Sequence, residues 1–360
     1  MKRIFSTIAI LLFSVTISNA QWVQTSGPSG AFVRCFASSG VNLFAGTQAG
    51  GIFLSTNEGA TWTAVNNGIT NFDIEAIAIS GSNIFAASFG AGVMLSTNNG
   101  ASWVPSNSGI PTTSIVRLAI SGATVFAGGF SNGVFRSTNN GANWSTSSSG
   151  LTSTNMTAFA VSGSNIFAGT SNGGVFLSTN NGANWTSRSS GLASVEVAAL
   201  TLIGTNLFAA TFNGVSFSSN NGANWTTVNN GLTNLNVRNL TSLGTTLIVG
   251  SDSGVFTSSN NGANWFKKNQ GLGSNKSVKS LFNFNNNVYA GIGTLGAWKR
   301  TAEITAVQNI SSELPAHYLL EQNYPNPFNP ATNIKFSITN SSNVKITIFD
   351  ITGKEIETLV

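Results

Sequence analysis

Ser137–Trp144 reads STNNGANW, and the same eight residues recur at Ser178–Trp185. Close variants stand at Ser55–Trp62 (STNEGATW), Ser96–Trp103 (STNNGASW), and Ser218–Trp225 and Ser258–Trp265 (both SSNNGANW). The six tryptophans fall 40 or 41 residues apart, a period that marks a closed or stacked repeat architecture rather than a single-core enzyme.

Working outward from the phrase, each unit contains four short runs. In the second unit they are Asp73–Ser80, Asn83–Ala87, Gly92–Ser96 and Ser102–Val104. Each is rich in β-formers and bounded by Gly or Asn, as strands are. Four strands per roughly 40 residues match one blade of a β-propeller. A second column sets the blade count. Phe44, Phe85, Phe126, Phe167, Phe208, Ile248 and Tyr289 hold equivalent places, which makes seven units against six phrases. The seventh unit supplies Val278–Phe284, Asn287–Gly291 and Gly296–Arg300, then stops without a closing tryptophan strand. Gln21–Val23 has the missing strand's pattern. The sequence therefore predicts an all-β chain: a seven-bladed propeller over residues 21–300, closed by pairing Gln21–Val23 with Gly296–Arg300. Closure of this kind removes exposed sheet edges.

Composition agrees. Of 360 residues 41% are hydrophobic and only 8% charged, so the core is well supplied while the surface is made of hydroxyls and amides. Residues 1–20 read as a secretory signal peptide, with Lys2 and Arg3, an apolar stretch from Ile4 to Ile17, and small residues before Gln21. That run is too short and wrongly flanked for a membrane span, and no later segment is long and apolar enough to be one. Cys35 is the lone cysteine and shares a column with Ala76, Ala158 and Ala199, which marks it as a small packed residue.

Within the phrase, Ser and Asn side chains can bond to nearby backbone, Asn tolerates left-handed conformations, and Gly supplies positive φ. The phrases resemble the Asp box of sialidase-type repeats, S-x-D-x-G-x-T-W. Asn57, Asn98, Asn139, Asn180, Asn220 and Asn260 stand where that family has Asp. An amide still braces a turn but brings no charge, so these positions, with Trp62, Trp103, Trp144, Trp185, Trp225 and Trp265, read as structural rather than metal-binding. The resemblance implies that the boxes lie on outer turns, away from the ligand face.

The propeller segment has no histidine, His317 lying beyond it. That removes Ser-His-Asp and Cys-His catalysis and His-ligated metal from the ring. No catalytic set, metal or cofactor is assigned. A sialidase would need an arginine cluster and a tyrosine nucleophile; Tyr289 falls in the core column, and Arg117 falls one column from Arg34 and Arg238. The candidate ligand-binding residues gather at the start of each unit's first strand. Arg34, Glu75, Arg238 and Lys279 share one column, and Asp73 and Glu196 share the column two residues earlier. These could form a rim that binds a polar ligand, or a carboxylate pair that hydrolyses a glycoside, or simply be solvated ion pairs. The last unit concentrates Lys267, Lys268, Lys276, Lys279, Lys299 and Arg300, a patch suited to an acidic glycan or envelope partner. Nothing points to nucleic acid.

After Arg300 the repeat ends. Residues 301–322 read as a linker, and residues 323–360 as a tail with strands expected at Thr332–Thr339, Val344–Asp350 and Lys354–Val360. Its LEQNYPNPFNP opening at Leu320–Pro330 and the turn Asp350–Lys354 resemble the C-terminal sorting domain of the type IX secretion system. That resemblance implies an Ig-like sandwich, here incomplete because the family runs on for several strands, the secretion machinery as partner, a Bacteroidota-type bacterium, and release or surface attachment after the periplasm. The chain is expected to be a secreted or surface binding protein for a glycan or envelope component. The alternatives are a glycoside hydrolase using Asp73, Glu75 or Glu196, and a purely architectural repeat protein.

Overall fold

The computed structural model describes residues 21–28, 31–274 and 276–301, with short strands at Leu319–Leu320, Phe336–Ser337, Thr347–Phe349 and Glu355–Thr358. The chain divides into Ala20–Ala302 and a second unit of Met1–Asn19 with Glu303–Val360. The expected signal peptide and the expected sandwich packing of the tail lie outside the described residues.

Ala20–Ala302 is a seven-bladed β-propeller. Blade 1 is an antiparallel meander of strands a (Val33–Ser39), b (Asn42–Thr47), c (Ile52–Ser55) and d (Thr63–Ala64). Blade 2 repeats it with Ile74–Ser80, Asn83–Ser88, Gly92–Ser96 and Val104–Pro105. The a strands of blades 3 to 6 are Ile115–Ser121, Met156–Ser162, Val197–Ile203 and Val237–Leu243. Every a strand packs against the a strands on either side, including blade 7 against blade 1, so these strands surround the axis.

Blade 7 joins the two ends of the ring. Val278–Phe284, Asn287–Ile292 and Ala297–Thr301 come from one end, and Val23–Gln24 from the other. The register is Val23 opposite Lys299 and Gln24 opposite Trp298. The pairing begins two residues later than expected and ends one later, as does strand d of blade 2. The same cause acts in both: the tryptophan amide is spent on the neighbouring blade. Trp103 N donates to Asn67 O at 2.9 Å, and Trp22 N to Gln270 O at 2.7 Å.

The tryptophans are the mortar between blades. Indole Nε1 of Trp103, Trp144, Trp185, Trp225 and Trp265 donates to a carbonyl of the preceding blade, at Val65, Ser106, Ser147, Arg188 and Val228. Trp22 performs the same task at the closing blade, donating to Lys268 O at 2.7 Å while only 2% exposed. Trp62, beside the seam, is less buried and donates to Thr25 Oγ1 at 3.3 Å.

Each phrase forms one turn between strands c and d. In blade 2, Asn98 Oδ1 accepts from Ser96 Oγ and from Ser102 N, both at 2.9 Å, and Gly100 N donates to Ser96 Oγ at 2.9 Å. Asn99 and Gly100 take φ of +55° and +83°, which is why an Asn-Gly pair recurs there. Blade 1 departs from the rule with Glu58 at φ +55°. That departure has a partner: Glu58 Oε2 accepts from Lys299 Nζ at 2.8 Å and Oε1 from Asn285 Nδ2 at 3.0 Å. Its carbonyl accepts from Tyr289 OH at 3.0 Å, which accounts for a tyrosine in a column of buried phenylalanines. The Lys299 and Asn285 bonds hold the Glu58 carboxyl below its ordinary value. This network ties blade 1 to Ala297–Thr301, the part of blade 7 that comes from the far end of the chain and meets Val23–Gln24 without a covalent turn.

The concentration of bases in the last unit therefore does not form one open basic face. Lys299 belongs to the seam, Arg300 is buried, and Lys279 stands 4.0 Å from Asp252. In the tail, Leu319–Leu320, within the stretch read as linker, pairs with Phe336–Ser337, and Thr347–Phe349 pairs with Glu355–Thr358.

Candidate functional site at the propeller mouth

All seven a strands slip register between their first and third residues, so one extra residue is inserted in each. Such a β-bulge re-aims the side chains around it. The inserted residues are Arg34, Glu75, Val116, Thr157, Ala198, Arg238 and Lys279, so the charged column read from sequence is the bulge column. The residue after the bulge is small in most blades (Cys35, Ala76, Ala158, Ala199, Ser280) and is Arg117 in blade 3. The bulge breaks strict alternation, and the one-column offset that sets Arg117 apart in sequence does not separate it in space.

Arg34, Glu75 and Arg117 converge from blades 1, 2 and 3. Glu75 Oε1 lies 3.3 Å from Arg34 Nη1, and Oε2 lies 3.6 Å from Arg117 Nη1. Arg117 is anchored by donating to the carbonyls of Thr157 and Val116. Asp73 Oδ1 faces Arg34 Nε at 3.4 Å, yet both buried atoms lack a hydrogen-bond partner. Burial raises Glu75 above the usual glutamate value against the opposing pull of Arg34 and Arg117. Burial raises Asp73 too, with Arg34 opposing. The Cys35 thiol is pushed up to about 12, chiefly by burial and next by the charge of Glu75, so it stays protonated.

Arg238 and Lys279 belong to a second cluster around Asp252, which the sequence reading missed. Asp252 Oδ2 lies 3.4 Å from Arg238 Nη2 and accepts from Asn236 Nδ2 at 3.0 Å; Oδ1 accepts from Ser277 Oγ at 2.7 Å. The Ser277 bond, with Arg238 and Lys279, holds this carboxyl below the ordinary aspartate value. Asp252 is the first residue after strand b of blade 6. That column reads Gln48, Phe89, Phe130, Ser171, Phe212, Asp252 and Gly293 around the ring, and reading it would have exposed both Asp252 and the rim aromatics. Phe89, Phe130 and Phe212 are exposed, as is Phe72 beside Asp73. Phe89 and Phe130 meet edge to face at 6.3 Å, and the Arg238 guanidinium sits 5.5 Å from the Phe212 ring centre.

Arg34, Glu75, Arg117, Glu196, Arg238 and Lys279 line one cavity of about 760 Å³. Asp73 stands beside it through Arg34. Glu196, exposed, shares the cavity but has no ion pair among the described residues. Asp73 and Glu75 sit on the same blade and share one guanidinium. Their two expected columns are thus united at Arg34, while Glu196 is not brought to them. No group of three potential metal ligands occurs among the described residues, and Tyr289 is fully buried in the seam. The arrangement offers donors and acceptors of both signs on rigid strands, around a volume of ligand-pocket size.

Residues 322–359 match the family described as the secretion system C-terminal sorting domain. No curated protein matches the chain. Among solved structures, the extracellular domain of a one component system from B. thetaiotaomicron is similar at a TM-score of 0.65 and 15% identity, over 78% of this chain and 40% of that one. The GH74 enzyme of Niastella koreensis is similar at 0.57 and 19% identity, over 77% of this chain and 44% of that one. YCF48 bound to D1 peptide is similar at 0.60 and 15% identity, over 82% of this chain and 99% of that one. The chain thus spans less than half the length of the first two. At these identities the likeness is one of fold. The protein is a seven-bladed β-propeller carrying a type IX secretion C-terminal sorting domain, which directs it to the outer surface or the extracellular space.

Proposed function

We propose that the protein is an exported binding protein whose propeller mouth holds a glycan or another envelope component, with Arg34, Asp73, Glu75, Glu196, Arg238 and Lys279 on the binding rim. The observation that carries this reading is the single cavity on which fixed charges of both signs converge from blades 1, 2, 3, 5, 6 and 7. Exposed phenylalanines around it supply stacking surfaces. YCF48, a propeller this chain covers almost end to end, binds D1 peptide, which supports a binding role for a lone propeller. The phrases of the outer turns are inferred to be Asp boxes of structural use. Binding is preferred to glycoside hydrolysis because Asp73 and Glu75 are both ion-paired to the one guanidinium of Arg34, whereas hydrolysis needs two carboxyls turned to a scissile bond.

The test is binding of outer-membrane polysaccharide to the secreted protein, compared with Glu75→Gln and Arg238→Gln. Each substitution strips one partner from a hydrogen-bonded charge cluster, and a loss of roughly tenfold or more is expected. Unchanged affinity in both variants, each folded, removes the site from the rim.

A further inference from the structure

The cavity changes character with depth. At the bulge its wall is charged. Two residues further along the a strands come Phe36, Ile77, Leu118, Phe159, Leu200 and Leu281, which line the same cavity. Ile77, Leu118, Phe159 and Leu281 are only half-buried, so this collar leaves apolar surface open inside the channel. Outside the charged level, Phe89, Phe130 and Phe212 make the rim apolar again. The charged level is also nearly balanced: Arg34 and Arg117 stand against Asp73 and Glu75, and Arg238 and Lys279 against Asp252, with Glu196 adjoining. A balanced ring selects neither anion nor cation strongly. It suits a hydroxyl-rich neutral group, which both donates and accepts.

We infer that the cavity binds a sugar-headed amphiphile, a glycan bearing one alkyl or acyl chain, with the sugar among the rim charges and the chain seated on the apolar collar. The inference rests on the mouth-binding reading and supplies its missing half, the apolar part of the ligand. The chain occupies the open face of Ile77, Leu118, Phe159 and Leu281, and its removal from water provides most of the affinity.

The probes are n-alkyl β-glucosides from methyl to decyl, each titrated calorimetrically below its micelle concentration into the full secreted protein. Affinity is expected to climb roughly fourfold for each methylene seated and then level off when the collar is full, with an increasingly negative heat-capacity change. Leu118→Gln and Ile77→Thr flatten that climb, while Phe266→Ser on the exposed outer strand of blade 6 leaves it intact. An affinity independent of chain length in the parent protein overturns the inference without need of any variant. So does a climb that persists in both folded collar variants, because the chain then binds elsewhere. If rim variants abolish polysaccharide binding while the alkyl series stays flat, the mouth reading stands and the collar inference falls. If the series climbs but rim variants leave polysaccharide binding untouched, the glycan rim falls and the collar stands.

Discussion

Replacing Trp22 by Ala removes a side chain that is 2% exposed and packed with Ile248, Val255, Leu272, Val278 and Trp298. It also removes the indole bond to the Lys268 carbonyl at 2.7 Å. Truncation of a buried Trp or Phe costs about 3–5 kcal/mol. At about 2–3 °C per kcal/mol for a domain of this size, the melting temperature should fall by about 6–15 °C. Trp144→Ala removes a comparable side chain, 5% exposed with an equivalent indole bond at 2.8 Å, from a blade made of continuous chain, so its cost should be similar. Where the two differ is in what opens. Val23–Gln24 is a two-residue strand held to Ala297–Thr301 by no turn, so losing Trp22 should free the edge of blade 7. Calorimetry of both variants gives the magnitudes, and amide exchange gives the location. Exchange in W22A should accelerate first along Ala297–Thr301, and in W144A around blades 2 and 3. A W22A melting point within 2 °C of the parent, or exchange that does not favour blade 7, would refute the closure argument.

Three further outcomes follow from named contacts. Glu58→Gln should cost about 0.5–1 kcal/mol at pH 7, a small figure because the pair with Lys299 is partly exposed. Since the native state holds this carboxyl below 4.5, the stabilisation is present above that pH and disappears as pH falls through the native value, so urea melts of parent and variant should converge on acidification. Glu75 has the opposite sign: its native carboxyl binds its proton more tightly than 4.5 implies, so the parent gains stability relative to Glu75→Gln as pH drops through the window above 4.5, and a parent that loses stability relative to the variant there would contradict the burial argument. Gly68→Ala should be far more damaging than Gly40→Ala in thermal melts. Both have positive φ, but a Cβ at Gly68 would lie 2.1 Å from the Trp103 carbonyl oxygen, while one at Gly40 meets nothing within 4 Å; about 1 kcal/mol is expected for the second from backbone conformation alone, and equal costs would refute the clash.

The ring was legible because its determinants are one-dimensional. Phrase spacing, the column from Phe44 to Tyr289, and a displaced Gln21–Val23 each survive as patterns in the chain, and blade 7 assembles as those patterns require. The charged column was legible for the same reason. Its geometry was not, because a bulge is a property of hydrogen-bond register between strands, and no residue type at Arg34 or Lys279 announces it. Arg117 falls one column from Arg34 in the sequence, yet the slipped register brings both to Glu75. Asp252, Phe89, Phe130 and Phe212 share a column whose residue type changes from blade to blade, so no repeated pattern marks it. Glu58 was visible as the one acid in a row of asparagines, but its partners Lys299 and Asn285 come from the far end of the chain, a pairing only the closed ring brings about.

The seam also bears on how an unfinished polypeptide is judged. The last strand laid down, Ala297–Thr301, is the template on which Val23–Gln24 must dock, and the export address starts about twenty positions downstream, at residue 322. A product whose synthesis halts anywhere before blade 7 therefore lacks its circular lock and its postmark alike. Ring closure and the sorting domain are thus both supplied by the final stretch of translation, so a chain halted short of blade 7 carries neither.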